Sequence, residues 1–345
     1  MPLYLLKYQI WKYKFQKLAY TLTGIWAYLG ICAWVWIQKI KNPRGFFVAV
    51  LLAEHMGDQV AAEPIIPALK QKFPNATICW IAKKRFHIFL EPHPGISKLF
   101  DEKNMFASTL LGKANPFHRF YNLHINGIRK DPFFHTDFFN PKSAELNLNV
   151  SNYYKNHNLL EIFSQFADLN LSTQQPKLYL KEKPVALPFE GSYWVIHTKS
   201  NQVNREWLDE KWEQLVPLIL DAQPIHIIEI GVSNGIHCTH PKFHSMVGEL
   251  SIPETIYILK NASFFIGIDS GPSHFANALQ IPGLLIFGKY ENFNPYMPYS
   301  GTYQEGKIAK LYFNENRTAA EHSVEEIWKA VQETYLNKPI ELVHQ

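Results

Sequence analysis

The feature that most constrains this chain is an alternation of short apolar runs, polar turns and helical stretches, which occurs twice. Gly45–Ala53 (GFFVAVLLA) is apolar throughout, and Glu54-His55-Met56-Gly57-Asp58-Gln59 then breaks the run. A continuous apolar run bounded by turn residues reads as a strand buried on both faces. Val60–Phe73 reads as a helix despite Pro64 and Pro67. Thr77–Ala82 is a second strand, Lys83–Leu90 a short helix and Ile96–Phe100 a third strand. This is the βαβαβ order of a doubly wound parallel sheet. The pattern restarts at Tyr193, with a strand over Tyr193–His197, a helix over Trp207–Leu220 and a strand over Ile225–Ile230. After a turn at Gly231–Gly235, Ser251–Asn261 is helical. Phe264–Gly288 (FFIGIDSGPSHFANALQIPGLLIFG) then reads as strand, tight turn, helix and strand.

A chain of 345 residues is long enough for two such domains. Ser172–Gly191, with Pro176, Pro184 and Pro188, reads as the linker between them. Residues 103–158 are rich in aromatics, histidines and asparagines. They predict irregular loops around a strand near Phe120–Ile125, suited to holding an acceptor. His118, His124, His135 and His157 lack the spacing of metal ligands and read as ordinary surface or core histidines. Asn158–Leu169 is a helix with one apolar face. Ser323–Tyr335 is a closing amphipathic helix with Ser323 and Glu326 at capping-box spacing. The expected divisions are an extension at 1–44, an α/β domain at 45–175, a second at 190–322, and a helix and tail at 323–345 that crosses back.

The net charge of +4 is unevenly placed. Lys7, Lys12, Lys14, Lys17, Lys39, Lys41 and Arg44 lie in the first 44 residues, which carry no acid. Taking that +7 from +4 leaves the body at −3, so its charge does not suit a general nucleic-acid binder. Residues 18–38 (LAYTLTGIWAYLGICAWVWIQ) carry no charge and are long enough to cross a hydrocarbon core. Three arrangements fit: a transmembrane anchor, a helix or helical hairpin in the membrane interface, and a hydrophobic extension packed on the body. A cleaved signal peptide fits poorly, since lysines follow the run where a small-residue cleavage site would stand. Cys32, Cys79 and Cys238 are scattered and form neither a disulfide framework nor a zinc motif.

Three polar turns fall at the carboxyl ends of predicted parallel strands, where open α/β sheets bind ligands. In the first, Gly57 allows close backbone approach and Asp58 starts a helix. A carboxylate there can take a hydroxyl proton, or it can serve only as a helix N-cap. The second runs from His197-Thr198-Lys199-Ser200 to Arg205. Its cations Lys199 and Arg205 suit a departing diphosphate, or they are ordinary surface charge. The third, Asp269-Ser270-Gly271-Pro272-Ser273-His274, opens a helix. Free N–H groups at a helix N-terminus favour an anion, and a plain βα turn with a serine cap is the alternative. No Walker A loop, GxGxxG or HExxH is present, and no metal is expected.

MGDQVAAEPIIPALKQKFPNATICWIAKKRF with PHPGISKLF, then HTKSNQVNREW, then VGELSIPETIYILKNASFFIGIDSGPSHFANALQIPGLLIFG, stand in order along the chain. Together they resemble the signatures of glycosyltransferase family 9, the ADP-heptose:lipopolysaccharide heptosyltransferase-like enzymes, from about residue 46 to the closing helix. The resemblance implies a GT-B fold, two Rossmann-like domains facing a cleft. The acceptor would lie on the first, with Met56 and Gly57, and the nucleotide sugar on the second. It implies an inverting transfer without metal or cofactor, with Asp58 as general base and Arg205 steadying the diphosphate. Lys199, Gly231 and Asp269, Ser270, Gly271, Pro272, Ser273 and His274 would contact the donor, expected to be ADP-linked heptose. After Gly231 the sequence VSNG departs from the family, with Glu229 or Asn234 available for the ribose.

The basic apolar extension is a further departure. It fits a membrane glycolipid acceptor and a catalytic body on the cytoplasmic face of a bacterial inner membrane, bound to the membrane surface through residues 1–44. Basic residues on both flanks favour an interfacial or re-entrant helix over a single span. The alternative function is a catalytically silent nucleotide-sugar-binding scaffold of a glycan-assembly complex. A nicotinamide-dependent dehydrogenase lacks its glycine fingerprint.

Overall fold

The structure is a computed structural model that describes residues 3–155, 157–291, 293, 295–314 and 316–336, with side chains from Tyr8 to Tyr335. The tail expected at 337–345 lies outside the described residues. In chain order the helices and strands open with α1 (Leu3–Lys41), β1 (Phe46–Leu51), α2 (Met56–Ala61), α3 (Ile65–Lys72), β2 (Ala76–Ala82) and α4 (His87–Leu90). Next come β3 (Lys98–Asp101), α5 (Met105–Lys113), β4 (Arg119–Asn122), α6 (Pro141–Glu145) and α7 (Leu159–Phe166). The later part holds β5 (Tyr193–His197), α8 (Asp209–Ala222), β6 (His226–Glu229), β7 (Phe243–Ser245), α9 (Ile252–Lys260) and β8 (Phe264–Ile268). It closes with α10 (Gly271–Ala278), β9 (Gly283–Ile286), β10 (Ala309–Tyr312) and α11 (Val324–Val331).

The chain forms two compact units. One comprises 1–54, 65–153 and 162–170, and the other 55–64, 154–161 and 171–345. Residues 55–64 therefore group with the second unit, although the sequence expectation put all of 45–175 in the first. The physical cause is α2, which lies against α10.

The first unit is a parallel sheet of order β3-β2-β1-β4. Leu51, Cys79, Ile81 and Met105 share its core with Ile31 and Val35 of α1. α1 is one continuous helix, so the hairpin among the expected arrangements is not formed. It docks lengthwise: Tyr13 Oη donates to Phe133 O, Tyr20 Oη to Asp131, Tyr28 Oη to Ala114 O and Lys39 Nζ to Pro116 O. Gly24 permits a close approach. A Cβ there would lie 2.7 Å from Asn104 Oδ1 and 2.9 Å from Phe106. Asn104 fixes this crossing, since its Oδ1 caps α5 at Ala107 N while its amide donates to Tyr20 O.

The helix expected over Val60–Phe73 is instead two. Pro64 ends α2, and α3 then restarts at Ile65. Pro67 is tolerated in α3's first turn, where helical N–H groups have no intrahelical partner.

The second unit is a parallel sheet of order β10-β9-β8-β5-β6-β7. Its core joins Trp194, Ile196, Phe264 and Ile266 of the central strands to Trp212, Leu215 and Ile219 of α8 and Ile327 and Val331 of α11. α11 carries the expected capping box, with Ser323 and Glu326 bonded reciprocally. From β5 the chain builds outward through β6 and β7, then returns to β8 on the other side and builds outward to β10. β5 and β8 therefore flank the switch point, where the crevice of such a sheet opens at the carboxyl ends.

Candidate active site

At that switch point β5 ends in His197 and β8 leads into Asp269 and Ser270. Both strands are fully buried, which fixes where their last residues emerge. Ser270 has the extended backbone of an N-cap residue, but its hydroxyl does not cap α10. It meets His197 Nδ1 at 2.9 Å and Ser273 Oγ at 3.2 Å, and Ser273 Oγ donates to Ile268 O. The serines tie the turn to the sheet and leave the opening of α10 without a side-chain cap, the end that carries the positive pole of its dipole. Pro272 lies in its first turn, where no N–H is required.

Asp269 is only 3% exposed and pairs with Arg205, whose Nη1 is 2.9 Å from Oδ2. The guanidinium also lies over the Tyr290 ring, 4.0 Å from its centroid. Tyr290 Oη in turn bonds Gln202 Oε1, next to the short turn that presents Arg205. Burial opposes the charge on Arg205, but Asp269 beside it more than compensates, and its pKa rises. Among the described residues its buried Nε–H has no hydrogen-bond partner. A fixed cation with such a donor can meet a further acceptor.

His197 and His274 are buried neutral imidazoles, each pushed down to about 4. Burial is the cause at His197. At His274 burial is the main cause, Asp269 opposes it, and Arg205 and His55 add to it. The His274 ring rests against Tyr299, 4.8 Å between centroids.

α2 seats against this helix. A Cβ on Gly57 would fall 2.6 Å from His274 Cδ2, so no other residue fits without displacing the ring. Met56 touches the space above Gly271. His55 enters α2 at φ 50°, a left-handed conformation uncommon for a residue with a side chain. The N-cap alternative for Asp58 is not realised: His55 holds that position, and Asp58 lies within the first turn. Its carboxylate is 25% exposed, and Oδ2 is 3.9 Å from His55 Nδ1.

Asp58, Met56, Gly57, Arg205, Asp269, Ser270, Gly271, Pro272, Ser273 and His274 therefore all belong to one unit. Lys199 and Gly231 are in that unit too but differ in setting. The Lys199 ammonium lies 2.6 Å from both oxygens of Asp209 and 3.7 Å from Glu206, which also receives Ser200 N–H. Gly231 has only ordinary contacts with Val247 around the place of a Cβ. Glu229 is fully buried and bonded by Thr198 Oγ1 (3.0 Å), Ile236 N (3.1 Å) and Ser245 Oγ (3.0 Å). It braces the loop after β6 and is not presented to a ribose, whereas Asn234 is exposed at φ 58°. Among the described residues no group of three or more His, Cys, Asp or Glu side chains could hold a metal ion.

Sequence reasoning missed Tyr290, which packs under Arg205, and did not give His197 a part in holding Ser270. The signal for the first was the tyrosine-rich stretch from Tyr290 to Tyr303. It supplies Tyr296 and Tyr299, both buried beside Asp269. Tyr154 joins this cluster through Phe293 and Tyr296.

The sequence model of glycosyltransferase family 9 (heptosyltransferase) matches residues 154–304, the stretch that carries Arg205, Asp269–His274 and the tyrosine cluster. Lipopolysaccharide heptosyltransferase 3 of Escherichia coli is 22% identical over 276 residues, covering 67% of this chain and 80% of that protein. A family 9 glycosyl transferase from Veillonella parvula superposes with a TM-score of 0.60 at 13% identity, over 85% of this chain and 98% of that one. E. coli heptosyltransferase WaaC with ADP superposes with a TM-score of 0.54 at 14% identity, over 84% and 97%. These likenesses give the fold as GT-B, preceded here by a long apolar helix. With the ordered motifs and the matched stretch, they identify the chain as a glycosyltransferase similar to the heptosyltransferases of family 9.

Proposed function

We propose that this protein transfers a sugar from a nucleoside diphosphate sugar to a hydroxyl of a surface glycolipid, as an inverting transferase of lipopolysaccharide assembly. The observation that carries the reading is the buried Arg205, paired to Asp269, stacked on Tyr290 and, among the described residues, left with an unused Nε–H. A diphosphate is the group whose charge grows as the sugar departs, and a preorganised buried cation is most effective against developing charge. The uncapped start of α10 beside Asp269 offers amide donors to the same phosphates.

In the step, the acceptor oxygen attacks the anomeric carbon as the bond from that carbon to the diphosphate oxygen breaks. Asp58 takes the hydroxyl proton, and the configuration inverts because one displacement occurs. Arg205 and the α10 amides meet the leaving group's charge, with no metal drawn into the step. His274, neutral near pH 7, keeps its ring against Gly57 and so holds the α2 turn that carries Asp58. The donor is ADP-linked and the sugar a heptose, by analogy with relatives named for heptose transfer and a neighbour solved with ADP. The acceptor is lipopolysaccharide core or a related glycolipid, met at the cytoplasmic face of the inner membrane.

Two measurements test this reading. ADP-, UDP- and GDP-sugars are titrated side by side, and the ADP-sugar binds tightest; failure of all three to bind removes the donor site. Asp58→Asn keeps donor binding and loses transfer by about 10²–10⁴-fold, the range of a lost general base. Undiminished transfer by that variant removes Asp58 as the base, and a wild type that binds the donor but transfers nothing favours the silent-scaffold reading.

A further inference from the structure

α1 has two apolar faces, and the first unit uses only one. Lys17, Tyr20, Gly24, Tyr28, Ile31, Val35 and Lys39 recur every three or four residues on the docked side. Tyr20, Tyr28 and Lys39 bond into the unit, Gly24 meets Asn104, and Ile31 and Val35 are in its core. On the opposite side stand Trp11, Phe15, Leu18, Leu22, Trp26, Leu29, Trp36 and Ile40. Each is between 46% and 72% exposed. At 100° per residue this stripe stays within an arc of about 80° along nearly the whole helix. Soluble surfaces rarely expose a continuous apolar strip of this length without a partner.

The geometry points to an anionic lipid bilayer as that partner, with α1 lying flat in the interface and not crossing it. Orientation follows from the docked face. A perpendicular α1 would drag Asp131, Asn104 and the chain at Ala114–Pro116, all bonded to it, into hydrocarbon, where charges and irregular backbone are strongly disfavoured. A flat helix instead sinks the tryptophan stripe by about 5–10 Å and leaves the unit in water. The choice of lipid over a protein or a second copy follows from charge. α1 contains no acidic residue. On a helical projection Lys12 and Lys41 fall along one edge of the stripe, and Lys14 along the other. Cations bordering an apolar strip on both sides match a negatively charged headgroup layer, with tryptophans at the depth they prefer.

The inference is independent of which sugar is moved, and its test uses no nucleotide. Full-length protein is floated with phosphatidylglycerol-containing vesicles and with phosphatidylcholine vesicles. Wild type floats with the first, and its tryptophan emission is quenched by lipids brominated near the headgroup. Trp26→Glu with Trp36→Glu, both exposed positions, lowers partitioning by roughly tenfold or more with an unchanged circular dichroism spectrum. Lys12→Gln with Lys14→Gln weakens binding only to the anionic vesicles. With Cys32, Cys79 and Cys238 replaced by serine, Gln9→Cys stays open to an impermeant thiol reagent added outside the vesicles. Labelling of Gln9→Cys only after detergent would show a spanning helix and overturn the proposal. So would wild type that ignores vesicles, or a solution dimer that Trp26→Glu converts to monomer.

Discussion

The two switch points of this molecule are furnished alike and finished differently. In the first unit β1 lies between β2 and β4, and Glu54, Lys83, Glu102 and His124 gather just beyond the strand ends. Arg129 closes the group: it is 2.9 Å from Glu54 and 2.9 Å from Glu102, and its Nη1 lies 3.1 Å from His124 Nε2. Lys83 holds Glu54 from the other side at 2.7 Å, and Ser108 donates to Glu102. In the second unit Arg205 has, among the described residues, one carboxylate, one ring and an unused donor. Both clusters are charge-balanced, Arg129 and Lys83 against Glu54 and Glu102, Arg205 against Asp269; they differ in that, among the described residues, Arg205 keeps an N–H without an acceptor. On the proposed reading, that N–H is what an anion in the second crevice would meet.

The largest way to break this comparison is Arg129→Met. It leaves Glu54 and Glu102 near each other without their shared cation, and stability to denaturant falls by about 3–5 kcal/mol. ADP affinity, measured where the variant is still folded, does not change. A variant as stable as wild type would show that the first network is not a structural brace.

Acid sharpens the comparison from the other side. His197 and His274 protonate near 4 when folded and near 6.5 when unfolded. As pH falls below about 6.5 the unfolded chain takes up protons that the folded one refuses. Stability is therefore full above that pH and drains away down to about 4, by on the order of 3 kcal/mol for each histidine. His197→Gln or His274→Gln flattens that slope in urea titrations run from pH 7 to about 4.5. An unaltered slope in both would mean that other groups carry the acid response.

A smaller effect belongs to Gly57→Ala. Its methyl meets the buried His274 ring, and overpacking of about 1–3 kcal/mol pushes α2 away from α10. Transfer drops roughly tenfold through the displaced Asp58, while ADP binding is spared. Least of all is Lys199→Met. Because its ammonium is bound by Asp209, ADP affinity changes by less than about threefold. A larger loss would make Lys199 a donor contact in its own right.

Much of this was legible in the chain itself. Tyr193–His197 and Phe264–Ile268 were readable to the residue, because a strand buried on both faces is apolar without interruption. The turn Asp269–His274 followed from them. What stayed hidden depends on encounters between distant segments. Arg129 meets Glu54 and Glu102 only because the sheet order brings those strand ends together. Tyr290 reaches Arg205 from far along the chain. The short α2 was obscured by reading across Pro64, although proline was itself the signal for the break. α1 was ambiguous for a different reason: apolar residues on both faces conceal which face is docked, and only its bonds to Phe133, Asp131, Ala114 and Pro116 decide.

The central claim, that the second crevice receives a diphosphate through Arg205, is tested most directly by calorimetric titration of ADP into wild type and Arg205→Gln. Wild type binds, and the variant, still folded, loses roughly tenfold or more in affinity, the loss expected when a buried charge-assisted contact is removed. Equal affinity in the two proteins would contradict the account.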